Sequence, residues 1–207
     1  MSAARGPYAK TSAKRKQILD AALAAYAEAG SRKVSVRDIA SRVGMTDAGV
    51  LHHFGNREAL LAAVLEAREA AARDAFGDAR LDPEAGLRIV AANASTPGLV
   101  KLFVDVAAAA AEPEHPAHDW FTERYATIRS SLAEWVTVDA ARPEGRKPTA
   151  DRPAPSRVDA DWVARILLAA TDGLQLQWLL EPGIDMAADI AALRDVLVAG
   201  LVARQGK

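Results

Sequence analysis

Gly44 sits between two short segments whose apolar residues fall on one helical face each, and few folds accommodate that pattern. From Ser35 to Arg57 the sequence predicts two short helices, a tight turn and the start of a third helix. Ser35 can cap the first helix and Asp38, three residues on, can answer it in a capping box. Val36, Ile39, Ala40 and Val43 then line one face at helical spacing. Gly44 ends that helix in the left-handed region, where a side chain would be strained. Thr46 caps the second helix, Asp47 suits its positive end, and Val50 and Phe54 face inward. Small Ala40 lets the helices approach, Gly44 makes the bend and Val50 locks one helix on the other. These are the requirements of a helix-turn-helix.

The rest of the chain agrees with helix throughout. Half of its 207 residues are hydrophobic, enough for one or two compact domains. Alanine is abundant and no alternating strand pattern persists, so an all-α class is expected. There is no cysteine, which excludes disulfides and thiolate metal sites and fits a reducing cytoplasm. No charge-free apolar run reaches ~20 residues and the N-terminus lacks a signal-peptide core, which predicts a soluble cytoplasmic protein with no membrane partner. Net charge is only −1, but residues 1–60 hold ten bases against five acids, about +5, leaving about −6 for the remainder. That asymmetry suits a DNA-reading end on a neutral-to-acidic body.

The run from Gly44 to Leu61, with its His52-His53-Phe54 segment followed by Arg57, resembles the N-terminal signature of TetR-family transcriptional regulators. The resemblance covers roughly residues 10 to 65. It implies a recognition helix, then a basic residue opening a long connecting helix. The candidate DNA contacts are Ser35, Arg37, Thr46, Asp47, Ala48, Leu51, His52, His53 and Arg57. Arg57 stands at a helix start, against the dipole, where a phosphate would be held by both the guanidinium and free N–H groups. Leu51 replaces the family's usual tyrosine, so one phosphate contact is expected to be missing, and Asp47 stands where a lysine or other donor is common, so a different sequence preference is expected. Arg37 is the compensating candidate. Lys14, Arg15 and Lys16 fit a phosphate backbone and an ordinary solvated face equally well.

The expected fold is an N-terminal three-helix helix-turn-helix DNA-binding domain, residues 1–56, joined by a long helix to a helical ligand-binding and dimerisation domain, residues 57–207. Residues 1–9 are expected to be disordered, with a first helix over 12–29 closed by Gly30. Further helices are expected over 57–79, 83–92, 99–111, from 118, 159–180 and 185–203. The Pro-rich, charged segment 141–157 is expected to be a flexible loop. Asn93, Phe103, Trp120, Arg124, Tyr125, Ile128, Gln175 and Trp178 are candidates for a site holding a small apolar or aromatic effector, although each aromatic taken singly reads more simply as core. In the family the last two long helices pair with their symmetry mates. Apolar residues on several sides of both, with Ile166, Leu174, Leu193, Val196 and Leu197 as candidates, agree with a homodimer.

No enzyme motif appears: neither nucleophile elbow, phosphate loop, zinc helix nor cofactor glycine pattern. Asp172-Gly173 admits a catalytic acid, but close packing at Gly173 and a local hydrogen bond from Asp172 are the simpler reading. His115 and His118 lack a third ligand, and His52-His53 diverge on a helix, so no metal and no cofactor are expected. The sequence therefore reads as a ligand-responsive regulator, most simply a repressor, acting as a homodimer on a palindromic double-stranded operator. A DNA-binding architectural or regulatory dimer with no effector is the alternative.

Overall fold

The computed structural model describes residues 7–30, 32–80, 82–140 and 157–204. Among them run nine helices and no strand: α1 (Pro7–Ala29), α2 (Val36–Arg42), α3 (Asp47–His52), α4 (Arg57–Phe76), α5 (Pro83–Asn93), α6 (Pro97–Ala109), α7 (His118–Ala140), α8 (Arg157–Leu180) and α9 (Met186–Arg204). The class is all-α, as expected. No single helix among the described residues is long and apolar enough to cross a membrane.

Helix ends follow local chemistry closely. Asp82 accepts from Glu84 N at 3.0 Å ahead of Pro83, and Asp185 accepts from Ala188 N at 3.0 Å ahead of Met186. Gly30, at φ +57°, ends α1, and Gly44, at φ +64°, makes the turn between α2 and α3. Several boundaries move: α4 ends at Phe76 where 79 was expected, α6 runs two residues earlier than expected, and α1 starts at Pro7, taking in residues 7–9 of the segment expected to be disordered. Proline is tolerated in a first helical turn, where its missing N–H has no partner to lose. Residues 1–6 and 141–156 lie outside the described set, and Arg157, the last residue of the expected loop, opens α8.

The chain packs into two compact units, and they do not divide after Asn56. The first comprises the described residues of Met1–Ala72 together with Ser95–Asp119; the second comprises those of Arg73–Ala94 and Trp120–Lys207. In the first, α1 packs on α2 and α6, and α2 on α3. Its core holds Ile18, Ala22, Ile39, Ala40, Val50, Leu60, Val64 and Val100, all essentially buried. The first unit reaches past residue 56 because α6 lies directly on α1, with Gly98 against the Tyr26 backbone. In the second unit α9 packs on both α5 and α8. Ala133 and Val136 of α7, Ala160, Val163, Ala164 and Leu167 of α8, and Leu201 of α9 form its core. Arg194 of α9 reaches Glu84 of α5 at 2.6 Å, its guanidinium 5.7 Å from the centre of the Trp135 ring.

Candidate nucleic-acid interface

The helix-turn-helix is assembled from its caps. Ser35 Oγ accepts from Asp38 N at 3.2 Å while Asp38 Oδ2 accepts from Ser35 N at 2.8 Å, completing the capping box. The bonds from Ser35, exposed as they are, hold the Asp38 carboxyl below the usual carboxylate range. Met45 N donates to Ala40 O at 2.9 Å across the turn, and Thr46 Oγ1 accepts from Gly49 N at 3.0 Å to start α3. Val50 is fully buried, pinning α3 to the unit's core. Asn56 Oδ1 then accepts from Ala59 N at 2.7 Å, so Arg57 is the first residue of α4.

This frame disposes the expected DNA contacts as follows. Ala48, His52, Arg37, Thr46 and Arg57 are exposed, Asp47, Leu51 and His53 half-buried. Arg37 and Asp47, from the starts of α2 and α3, come within 4.0 Å of each other, so one departure from the family pattern and its compensating candidate are neighbours. The hydroxyls of Ser35 and Thr46 are both engaged in capping. Phe54, expected to face inward, is only half-buried and lies under the Arg15 guanidinium, 4.2 Å from its ring centre. Arg57 also lines a groove of about 480 Å³ in the first unit, with Tyr26, Arg32, Lys33, Lys101 and Asp105. Burial raises the Tyr26 phenol, and the Arg57 charge partly opposes that rise. The sequence offered no sign of this groove, because its walls come from segments far apart in the chain.

The effector candidates divide. Phe103 belongs to the first unit, buried on α6 beside Leu102 and Val106, and the other seven belong to the second. Of those seven, Gln175 and Trp178 are buried on α8, while Asn93, Trp120, Arg124, Tyr125 and Ile128 are half-buried. Trp120, Phe121 and Tyr125 form a run of ring contacts at 4.8 and 5.9 Å, and the Arg124 guanidinium lies 5.8 Å from the Tyr125 ring centre. Sequence reasoning missed their partner. Asp172 makes no local bond but accepts from Tyr125 Oη at 2.7 Å, joining α8 to α7. Gly173 is not a close-packing site within the chain, since a Cβ there would meet nothing within 4 Å.

Burial pushes the Asp172 carboxyl up, against the lowering effects of the Tyr125 bond and the Arg124 charge. A raised folded-state pKa means its contribution to stability is fully present below the unfolded value and is lost as pH rises through the folded one. Asp172→Asn should therefore gain on the wild type in melting temperature between pH 3 and pH 7; a difference constant across that range would show the carboxyl is not so strained. Tyr125→Phe removes the donor and should cost about 1–3 kcal/mol in a urea melt at pH 7.

Both His115, ahead of α7, and His118, its first residue, are held by backbone: His115 Nδ1 accepts from Ala117 N at 3.1 Å, and His118 Nδ1 lies 2.9 Å from Ala110 O. Among the described residues no group of three or more His, Asp or Glu is placed to hold a metal.

Similarity to known proteins follows the same geography. The family model for bacterial regulatory proteins of the TetR family matches residues 18–64, the part of the first unit that holds the capped α2–α3 pair. The transcriptional repressor Rv1474c of Mycobacterium tuberculosis is 33% identical over 117 residues, covering 56% of this chain and 50% of that protein. The repressor AcnR of Corynebacterium diphtheriae is 34% identical over 113 residues, covering 55% of this chain and 47% of that protein. The chain thus spans about half the length of the curated relatives it matches. A transcriptional regulator from Rhodococcus sp. Rha1 shares the fold, with a TM-score of 0.61 at 21% identity over 91% of this chain and 95% of that one. The sequence match to the TetR family of bacterial regulatory proteins thus centres on the helix-turn-helix, and the fold is held in common with a solved regulator well beyond it.

Proposed function

We propose that the protein is a transcriptional repressor that binds a palindromic operator as a homodimer and is released by a small apolar or aromatic effector. The observation that carries the reading is the capped α2–α3 pair, which fixes a short helix with Ala48 and His52 outward, beside Arg57 at the head of α4. Two copies would place their recognition helices in successive major grooves, roughly 34–36 Å apart. The repressor names of the two relatives that share this region support the polarity.

Support for the dimer comes from α8, which carries two apolar stripes. The inner one, Val163, Leu167 and Trp178, is buried in the chain's own second unit. The outer one, Trp162, Ile166, Ala169, Gly173, Leu176 and Leu180, recurs at alternating spacings of four and three and is left open. On α9, Val196 is 69% exposed. The candidates Leu193 and Leu197, by contrast, pack partly against the chain's own core, and Leu174 stands beside buried Gln175. A second copy would cover the outer stripe, with Ala169 and Gly173 letting two helices approach closely. Effector binding would act by linkage: a ligand favouring the DNA-incompetent form weakens operator binding by the factor by which DNA weakens ligand binding.

The test is a mobility-shift assay on DNA flanking the protein's own coding region, at two salt concentrations with non-specific competitor. Competitor-resistant binding to a palindromic segment is expected; binding that vanishes with competitor would overturn the operator reading. Within that assay, Arg57→Ala should weaken binding to all sequences alike and reduce the salt slope by about one. An unchanged slope would remove Arg57 from the phosphate contacts.

A further inference from the structure

We propose that Arg15 is a positioning residue for the DNA-reading surface, fixing the end of α3 and the start of α4 from within the protein, and not a phosphate contact. The inference rests on the DNA-binding reading above. Arg15 is one of three consecutive bases on α1, and the three meet different fates. Lys14 donates to Gln17 at 3.0 Å and Lys16 to Asp20 at 2.8 Å, both along the exposed surface of α1. Successive residues on a helix diverge by about 100°, and the middle one turns across to the recognition helix. Its guanidinium stacks on the Phe54 ring, 4.2 Å from the centre, and its Nη1 donates to the His53 carbonyl.

Those two contacts fall on consecutive residues at a critical point. His53 is the C-cap of α3, and its own N–H already bonds back to Val50 O at 3.1 Å. Gly55 follows in the positive-φ region at +96°, then Asn56 caps α4 and Arg57 begins it. One flat cation held at His53 and Phe54 thus fixes the candidate readers His52 and His53 on one side and Arg57 on the other. The task demands arginine. Its planar group can stack on a ring and donate in its own plane at once, whereas a lysine ammonium carries the charge without that geometry. A guanidinium so engaged is withdrawn from the phosphate role its position on α1 would suggest.

The two roles separate by experiment. In the DNA-free protein, nuclear Overhauser contacts between the Arg15 δ-methylene and the Phe54 ring are expected, with the methylene protons shifted upfield by the ring. Arg15→Lys keeps the charge and loses the stacked donor. It should lower affinity for the operator roughly tenfold, and by more than it lowers non-specific binding. If Arg15→Lys binds the operator as wild type does and Arg15→Met lowers the salt slope by about one, Arg15 is a phosphate contact and the proposal is wrong. The Overhauser measurement needs no variant to fold, and its absence in the wild type overturns the proposal by itself. Failure of the wild type to bind any operator would sink the DNA reading instead, and would show as that failure with the Arg15–Phe54 contact intact.

Discussion

Gly98→Val should lower the stability of the first unit by about 3 kcal/mol, and Gly98→Ala should already cost well over 1 kcal/mol. Gly98 is the second residue of α6, and a Cβ built on it would lie 2.2 Å from Tyr26 O and 3.0 Å from Gly30 O. Both neighbours are backbone at the C-terminal end of α1, so no side chain can swing aside. Either α6 lifts from α1, exposing buried Leu99, Leu102 and Phe103, or the end of α1 distorts. Since whole-domain stabilities run to roughly 5–15 kcal/mol, this one contact is a large fraction. Urea denaturation of the three proteins, followed by circular dichroism, would measure it. An alanine variant within about 0.5 kcal/mol of wild type would mean that α6 does not lie as close to α1 as these distances require.

The second large effect is expected from charge placed on the open face of α8 and α9. Leu180 is 81% exposed and Val196 69%, so a glutamate at either site costs the isolated chain little. In the proposed dimer, the paired substitution Leu180→Glu with Val196→Glu would bury uncompensated carboxylates. It should yield a monomer by analytical ultracentrifugation that still unfolds in one cooperative transition. Operator affinity should fall roughly hundredfold or more, because the two half-sites are no longer engaged together. A double variant that stayed dimeric would move the interface elsewhere. One that became monomeric yet bound the operator unchanged would separate dimerisation from DNA recognition.

Most of what could be read from the sequence rested on interactions a few residues long. Ser35 with Asp38, Thr46 with Gly49, Asn56 with Ala59 and the left-handed Gly44 are contacts across one turn, so spacing and residue type suffice to foresee them. The helix periodicities of α2 and α3 follow for the same reason, as does the TetR-family resemblance that rides on them. What the sequence could not disclose is which distant segments share a face. Ser95-Thr96-Pro97-Gly98 reads as a break between helices, and nothing local reveals that Gly98 must be glycine to meet α1. Asp172 looks like a residue with a local bond, until α7 brings Tyr125 to it from 47 positions away.

The same limit governs the candidate site and the proposed dimer surface. Three adjacent bases on α1 are indistinguishable by composition, and only the position of α3 decides that Arg15, and neither lysine, is turned inward. Apolar residues recur on several sides of α8, so periodicity alone cannot say which stripe the chain buries itself. The sequence by itself determined the all-α class, the caps and the helix-turn-helix, because hydrogen bonding within a turn depends on neighbours in the chain. Only the tertiary structure decided the two-unit division, the burial of Phe103 on α6 and the outer stripe of Trp162, Leu176 and Leu180. Those depend on close packing between surfaces, and packing is settled by shape in three dimensions, which spacing along a chain does not encode.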